Sequence, residues 1–360
     1  MKGLIGLWPR LISFDNLWTA WRRARRGKSR KAGVAAFELD LEHNLLELQQ
    51  ELEAGAYRPG PYRLFTVYER KPRLIAAAPF RDRVVHHGVM NLIEPSLDRT
   101  FIHDSYACRP GKGVHVAVAR YQGWTQRYPY VLKLDVQQYF PSIDHAILKE
   151  KLRRRIRDER VLELLGRIID DGPDTGPAGL TPFPGDDLLT PLERRTGIPI
   201  GNLTSQFFAN LYLDDLDHWI KEVLRVRAYL RYVDDMVLLA DDKGQLARWR
   251  KAIKGRLAAD RLRLHPHKAR VSRTRDGLDL LGYRIFPGWR RLRDDNGFRF
   301  RRRLRGFARD YAAGLLDWED FDPSVQAWIG HARYAGTLGL RRQLFSEAIF
   351  SRGAGEASTG

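Results

Sequence analysis

The stretch Ala228–Ala240 limits what this chain can fold into more than any other. Two apolar runs, Ala228-Tyr-Leu-Arg-Tyr232 and Met236-Val-Leu-Leu-Ala240, flank Val233-Asp234-Asp235. Runs of that length around a short polar step read as a β-hairpin with carboxylates at its tip. Upstream, Tyr130-Val-Leu-Lys-Leu134 reads as another strand, with Asp135 at its end. Adjacent carboxylates held between apolar strands repel one another and need a cation. Three aspartates placed in this way can hold two Mg²⁺ ions, since magnesium takes oxygen ligands and shares its shell with substrate phosphates. Such a site serves in-line phosphoryl or nucleotidyl transfer.

An Asp-Asp pair alone says little, because Asp suits turns for backbone reasons. The chain holds five others: Asp170-Asp171, Asp186-Asp187, Asp214-Asp215, Asp241-Asp242 and Asp294-Asp295. Only Asp234-Asp235 has apolar strand on both sides. Asp214-Asp215 lies within Phe207–Ile220, whose spacing is helical, and reads as a solvated helix face.

Lys and Arg number 62 against 44 Asp and Glu, a formal net charge of +18. An excess of that size implies a polyanionic partner, nucleic acid first. It is concentrated in three runs: Trp21–Lys31, Lys149–Arg157 and Arg299–Arg305. The one cysteine, Cys108, excludes an internal disulfide framework and a thiolate zinc site, and fits a reducing, cytoplasmic setting. No apolar stretch is long enough to span a membrane. The N-terminal apolar run is too short for a signal peptide.

With 43% hydrophobic residues over 360, the chain can pack two or three subdomains. Residues 13–56 read as helices broken by the first basic run. Arg63–Tyr68 and Arg73–Ala78 read as an antiparallel strand pair joined by Glu69-Arg-Lys-Pro72, and a helix is expected over about 83–92. The Pro/Gly-rich segment 170–196 reads as a mobile surface insertion. A basic hairpin is expected over about 283–303, then helices at 305–316 and 324–350. The tail, 351–360, is expected to be disordered.

The blocks Ser105-Tyr-Ala-Cys-Arg-Pro-Gly-Lys-Gly113, Leu134-Asp-Val-Gln-Gln-Tyr-Phe-Pro-Ser-Ile-Asp144, Gly197-Ile-Pro-Ile-Gly-Asn-Leu-Thr-Ser-Gln206, Tyr232-Val-Asp-Asp235 and Leu280-Leu-Gly-Tyr-Arg284 occur in an order that resembles the reverse transcriptases. The resemblance covers roughly 13–350. It implies an α+β right-hand polymerase: helices and fingers over 1–94, a ferredoxin-like palm over 95–285 interrupted by the insertion, and a helical thumb over 286–350. It implies that Asp135 and Asp234 bind both metals, with Asp235 in support and the Val136 carbonyl as a further ligand. Lys71, Arg73 and Arg83 fall where the family contacts the triphosphate, with Arg81 a weaker match. Phe140 matches the aromatic that selects deoxyribonucleotides; as a residue alone it reads rather as an ordinary core aromatic. Arg109, Lys112 and Gln206 match positions on the template path, and Leu281, Gly282 and Tyr283 the primer grip. Lys268 matches a lysine that protonates leaving pyrophosphate, although a solvated lysine is an equal reading.

Most reverse transcriptases carry Gln where this chain has Ile200. The form Ile200-Gly-x-x-x-Ser205-Gln206 resembles the enzymes of diversity-generating retroelements. These copy a template-repeat RNA into cDNA, misincorporate opposite adenine, and work with a small basic accessory protein that forms a pentameric barrel. Ile200 as a simple packing variant is the alternative. Two other readings of the whole chain remain: a reverse transcriptase of another bacterial lineage, antiphage or group II-like, and a non-catalytic basic RNA-binding scaffold. The implied partners are template RNA, the RNA/cDNA duplex and dNTPs.

Overall fold

The structure is a computed structural model that describes residues 3–68, 72–173, 175–176 and 181–352. The chain divides into two compact units. One comprises Met1–Gly111, Leu132–Leu238 and Ala247–Arg270; the other comprises Lys112–Val131, Leu239–Leu246 and Val271–Gly360.

The first unit opens with helices α1 (Trp8–Leu11), α2 (Phe14–Arg25), α3 (Ala32–Glu38) and α4 (Leu41–Glu53). Ser13 caps α2 by accepting from the Asn16 amide, and Leu17, Ala20, Trp21 and Ala24 form its buried face. That face packs on α5 (Phe80–Leu97), which is longer than its expected span. In the chain, between α4 and α5, come strands β1 (Arg63–Tyr68) and β2 (Pro72–Ala77), antiparallel from Arg63↔Ala77 to Tyr68↔Pro72. Residues 69–71, with Lys71, lie outside the described residues, as does 353–360.

After α6 (Val114–Thr125) come β3 (Tyr130–Asp135), α7 (Tyr139–Ser142), α8 (His145–Arg155), α9 (Glu159–Asp170), α10 (Thr190–Glu193), α11 (Leu203–Tyr212) and α12 (Asp214–Glu222). Then follow β4 (Tyr229–Tyr232), β5 (Asp235–Ala240), α13 (Lys243–Ala259) and β6 (Arg270–Arg273). The four strands form one sheet in the order β4-β5-β3-β6. Counted by first appearance that is 2-3-1-4, the split β-α-β-β-α-β arrangement of a ferredoxin-like palm. The reading of the fold as α+β with such a palm therefore holds.

The second unit ends in a meander of β7 (Leu278–Leu280), β8 (Tyr283–Ile285) and β9 (Arg290–Leu292), then α14 (Asp294–Ala312), α15 (Trp318–Arg333) and α16 (Leu338–Ser346). The hairpin expected over 283–303 is corrected here: its second half is helix. Alternating Arg299-Phe-Arg mimics a strand period, but Gly297, Phe300 and Leu304 form the buried helical stripe, and Asp294 and Asp295 favour a helix N-terminus. The helix expected over 324–350 is two helices, broken around Gly336. Phe300 of α14 stacks on Trp328 of α15, ring centroids 3.8 Å apart.

Two charged segments also differ from expectation. Asp214 is fully buried, not solvated. Arg155 reaches it at 2.7 Å and Lys151 reaches Asp215 at 3.0 Å. Within the run Lys149–Arg157, Lys149, Lys151 and Arg155 are thus paired within the fold, Lys149 with Asp170, while Arg153, Arg154 and Arg157 are exposed. Paired cations of that kind contribute little to a polyanion surface. The insertion is likewise tied down where it is described. The Arg194 guanidinium pairs with Asp186 and lies 3.4 Å from the buried Asp144, and Arg263 donates to the Pro182 carbonyl at 2.9 Å.

Candidate active site

The β4–β5 ladder closes at Tyr232↔Asp235, so Val233 and Asp234 are the two residues of the turn. Val233 has φ 55°, the positive value a two-residue hairpin turn requires. Glycine takes that conformation freely and a β-branched residue rarely does. The tip is therefore held rather than relaxed.

Beside it, β3 delivers Asp135. Alternation puts Lys133 on the same face as Asp135, and its Nζ lies 3.0 Å from Asp235. Lys268 Nζ lies 2.7 Å from Asp135 Oδ2. Its loop is pinned by the His265 amide, which donates to the Asp135 carbonyl at 2.8 Å. Val136 is buried and bridged antiparallel to Leu264. Burial, then the charges of Asp235 and Asp135, push the Asp234 carboxyl up to about 6, against the pull of its own backbone amide and of Lys268. A divalent cation would relieve that repulsion, so these residues fit one. Among the described residues no three His, Cys, Asp or Glu converge to hold an ion unaided. Magnesium does not need them to, because substrate phosphates complete its shell around one or two carboxylates.

A family model described as "Reverse transcriptase (RNA-dependent DNA polymerase)" matches residues 66–285, which contain all three aspartates. The chain belongs to this family. RNA-directed DNA polymerase is its enzyme class. "Protein YkfC" of Escherichia coli (strain K12) is 27% identical over 279 residues, covering 66% of this chain and 70% of that one. "Group II intron-encoded protein LtrA" of Lactococcus lactis subsp. cremoris is 22% identical over 219 residues, covering 59% of this chain and 33% of that one. The chain thus spans only a third of that relative. Among solved structures, apo telomerase from Candida tropicalis matches at TM-score 0.47 and 12% identity, over 64% of this chain and 47% of that one, too loose a likeness to build on.

The remaining expected residues of this reverse transcriptase fall into two groups. One group lies along β2 and the segment before α11. The Ala76 amide donates to the Ile200 carbonyl at 3.0 Å, and Asn202 Nδ2 donates to the Ala76 carbonyl at 3.2 Å. A Cβ on Gly201 (φ 118°) would meet the Ile75 side chain at 2.9 Å. Arg73 is two residues from Ile75 and so shares its face of the strand. Arg73 and Gln206 are exposed, and Phe140 is half-buried after the left-handed Gln138 (φ 46°).

In the other group the fold engages several of the side chains. Arg109, expected on the template path, has its guanidinium engaged within the fold. Its Nε donates to Asp98, its Nη1 to the carbonyls of Ile102 and Ser105, and its Nη2 to the carbonyl and carboxylate of Asp98. All five N–H groups of a guanidinium are then used. Arg83 Nε donates to the Ala78 carbonyl, and Arg81 pairs with Glu51. Lys112 is half-buried just before α6. Leu281 (φ 50°) and Gly282 (φ 92°) form the β7–β8 turn. Tyr283 is buried behind it and donates to the His331 carbonyl at 2.7 Å, so its side chain supports the turn and cannot face a primer.

Reading the sequence alone missed Lys133, and Arg231 with Asp217 beside the Val233-Asp234 turn. The signal for Arg231 was present: a charge inside an otherwise apolar strand.

Proposed function

We propose that this reverse transcriptase copies a template-repeat RNA into cDNA with misincorporation opposite adenine, as part of a diversity-generating retroelement. The observation that carries the reading is Ile200. Its carbonyl is hydrogen-bonded to β2, and by the resemblance its apolar side chain replaces the glutamine whose amide would hold the nascent base pair. Without that amide, pairing geometry is enforced less tightly. Arg73, on the neighbouring strand, is the second determinant. Residues 1–94, 95–285 and 286–350 act as fingers, palm and thumb. Lys71, Arg73 and Arg83 would face the triphosphate, Phe140 would exclude a ribose 2′-hydroxyl, Lys112 and Gln206 would meet the template, and the Leu281-Gly282 turn the primer.

In the reaction, the primer 3′-hydroxyl attacks the α-phosphate of a dNTP and pyrophosphate leaves. Asp135 and Asp234 would hold two magnesium ions with Asp235 and the Val136 carbonyl in support. Bound there, the ions would stabilise charge on the attacking and leaving oxygens. Lys268, already on Asp135, supplies the proton that pyrophosphate takes up. Lys268→Ala is expected to slow single-nucleotide addition about 100-fold, with KM for dNTP changed less than about threefold. Unchanged turnover would leave Lys268 as an ion-pair partner only.

The test of the adenine reading is primer extension on an RNA template containing all four bases, with the small basic accessory protein supplied and the cDNA sequenced. Errors should concentrate at template adenines. Ile200→Gln should reduce them about tenfold, the scale of one well-made hydrogen bond. The relatedness to YkfC and to the group II intron protein favours a second reading, a non-mutagenic bacterial lineage. Accurate cDNA from the wild-type chain would establish that one instead.

A further inference from the structure

Arg231 lies in β4, one residue before the Tyr232-Val-Asp-Asp235 box, and is fully buried. Nothing in a polymerase palm demands a buried guanidinium on the sheet's β4 edge strand, and burying one is costly unless every donor is matched. Here every donor is matched. Nε lies 2.9 and 2.8 Å from the two carboxylate oxygens of Asp217, and Nη2 is 2.7 Å from Asp217 Oδ2. Nη2 also donates to the Asn210 carbonyl at 3.2 Å, and Nη1 to Asn210 Oδ1 at 3.2 Å. The remaining Nη1 donor goes to the carbonyl of Val233 at 3.1 Å. Tyr229 donates to Asp217 at 2.6 Å, and Asn210 Nδ2 donates to the Ala107 carbonyl at 2.8 Å, so the anchors are themselves anchored.

The Val233 carbonyl is the informative partner. It belongs to the peptide unit whose N–H is that of Asp234. In a trans peptide the two bonds are coplanar and point opposite ways, so fixing the carbonyl fixes the direction in which Asp234 leaves the turn. The same residue, Val233, has the positive φ that its branched side chain disfavours, a strain that persists only if the surroundings impose it. The backbone of Arg231 is held as well: its amide donates to Asp104 at 2.9 Å and its carbonyl accepts from Tyr106 at 3.0 Å. A rigid fork thus runs from α11 and α12 through β4 to the peptide that presents the catalytic carboxylate.

We infer that Arg231, locked by Asp217 and Asn210, is a positioning residue that sets the metal-binding geometry of Asp234 by clamping the Val233–Asp234 peptide. This rests on the assignment of Asp234 as a metal ligand. Arg231 touches no substrate. A lysine keeps the charge but offers a point donor in place of the planar fork, and cannot span Asp217, Asn210 and Val233 together.

The experiment measures Mn²⁺ binding to the full-length chain by electron paramagnetic resonance, beside thermal unfolding and steady-state primer extension. Arg231→Lys should bind Mn²⁺ about tenfold more weakly, the usual effect of losing a support behind a metal ligand. Its kcat at saturating dNTP should fall at least tenfold, with KM for dNTP within about threefold. Adding Val233→Gly to Arg231→Lys should restore part of the Mn²⁺ affinity, because glycine accepts the positive φ without help. A role in core stability alone would not give that rescue. If Arg231→Lys does not fold, Asn210→Ala carries the test. It keeps the Arg231–Asp217 pair but frees the guanidinium to turn, and should weaken Mn²⁺ binding severalfold. Folded variants that bind Mn²⁺ and turn over like wild type would overturn the inference. Asp234→Ala separates the two layers of the argument. If it binds Mn²⁺ as wild type does, the metal assignment itself fails; if it loses binding while Arg231→Lys keeps it, only the positioning role fails.

Discussion

Asp234→Asn is expected to abolish primer extension, a loss on the order of 10³-fold or more, while raising the melting temperature of the metal-free protein. The two effects share one cause. Burial and the charges of Asp235 and Asp135 push the Asp234 carboxyl up to about 6 in the fold. In the unfolded chain it titrates near 3.9. Between about pH 4 and pH 6 the folded state therefore holds more protons than the unfolded state. Stability from this group is complete below about pH 4 and is lost as pH rises through about 6. Asparagine keeps the shape without the charge, so at neutral pH the variant regains what wild type has lost, on the order of 3 kcal/mol. Thermal unfolding in EDTA at about pH 5 and pH 8 reads this directly. The wild-type melting temperature should fall between the two, and that of Asp234→Asn should fall less. Equal pH profiles, or an active Asp234→Asn enzyme, would show that the three carboxylates do not form one repelling site.

The parts of the fold visible in the sequence are those whose cause is local. The hairpin of β4 and β5 follows from apolar runs around a two-residue turn, and β3 from the run that ends at Asp135. Those three segments locate the three candidate carboxylates. The parts that were not visible are those whose cause is a distant neighbour. Asp214 looks like a polar residue on a helix face until α8 delivers Arg155, 59 positions away, onto it. Lys149, Lys151 and Arg155 look like part of a nucleic-acid run until their carboxylate partners are in place. Arg109 matches a template contact by motif, yet its position brings it against Asp98 and two inward carbonyls. The start of α14 misleads in another way. Arginines alternate with aromatics there, the period of a strand, while the stripe that decides its fate, Gly297, Phe300 and Leu304, is spaced for a helix. Lys133 and Arg231 share a single lesson: a charge within an apolar strand must have a partner, and the sequence does not say which.

Asp217→Ala should give the largest loss of stability in the chain, about 3–5 kcal/mol, measured by chemical or thermal unfolding of the metal-free protein. Asp217 and Arg231 are both fully buried. Removing the carboxylate leaves a guanidinium in the core with its main acceptor gone, and the Tyr229 hydroxyl without its partner. An unpaired buried charge costs more than the pair ever contributed, which makes the single deletion severe. Replacing both members, as in Asp217→Leu with Arg231→Met, removes the unpaired charge and should recover most of the lost stability. It should not recover polymerisation, because no donor then reaches the Val233 carbonyl and the strained turn loses the group that orients Asp234. A double variant as stable as wild type and fully active would mean that the pair serves only the core. A stable, inactive one would locate its value in the direction of a single peptide bond, since the cost of burying two charges is then offset by geometry at the catalytic turn rather than by folding free energy.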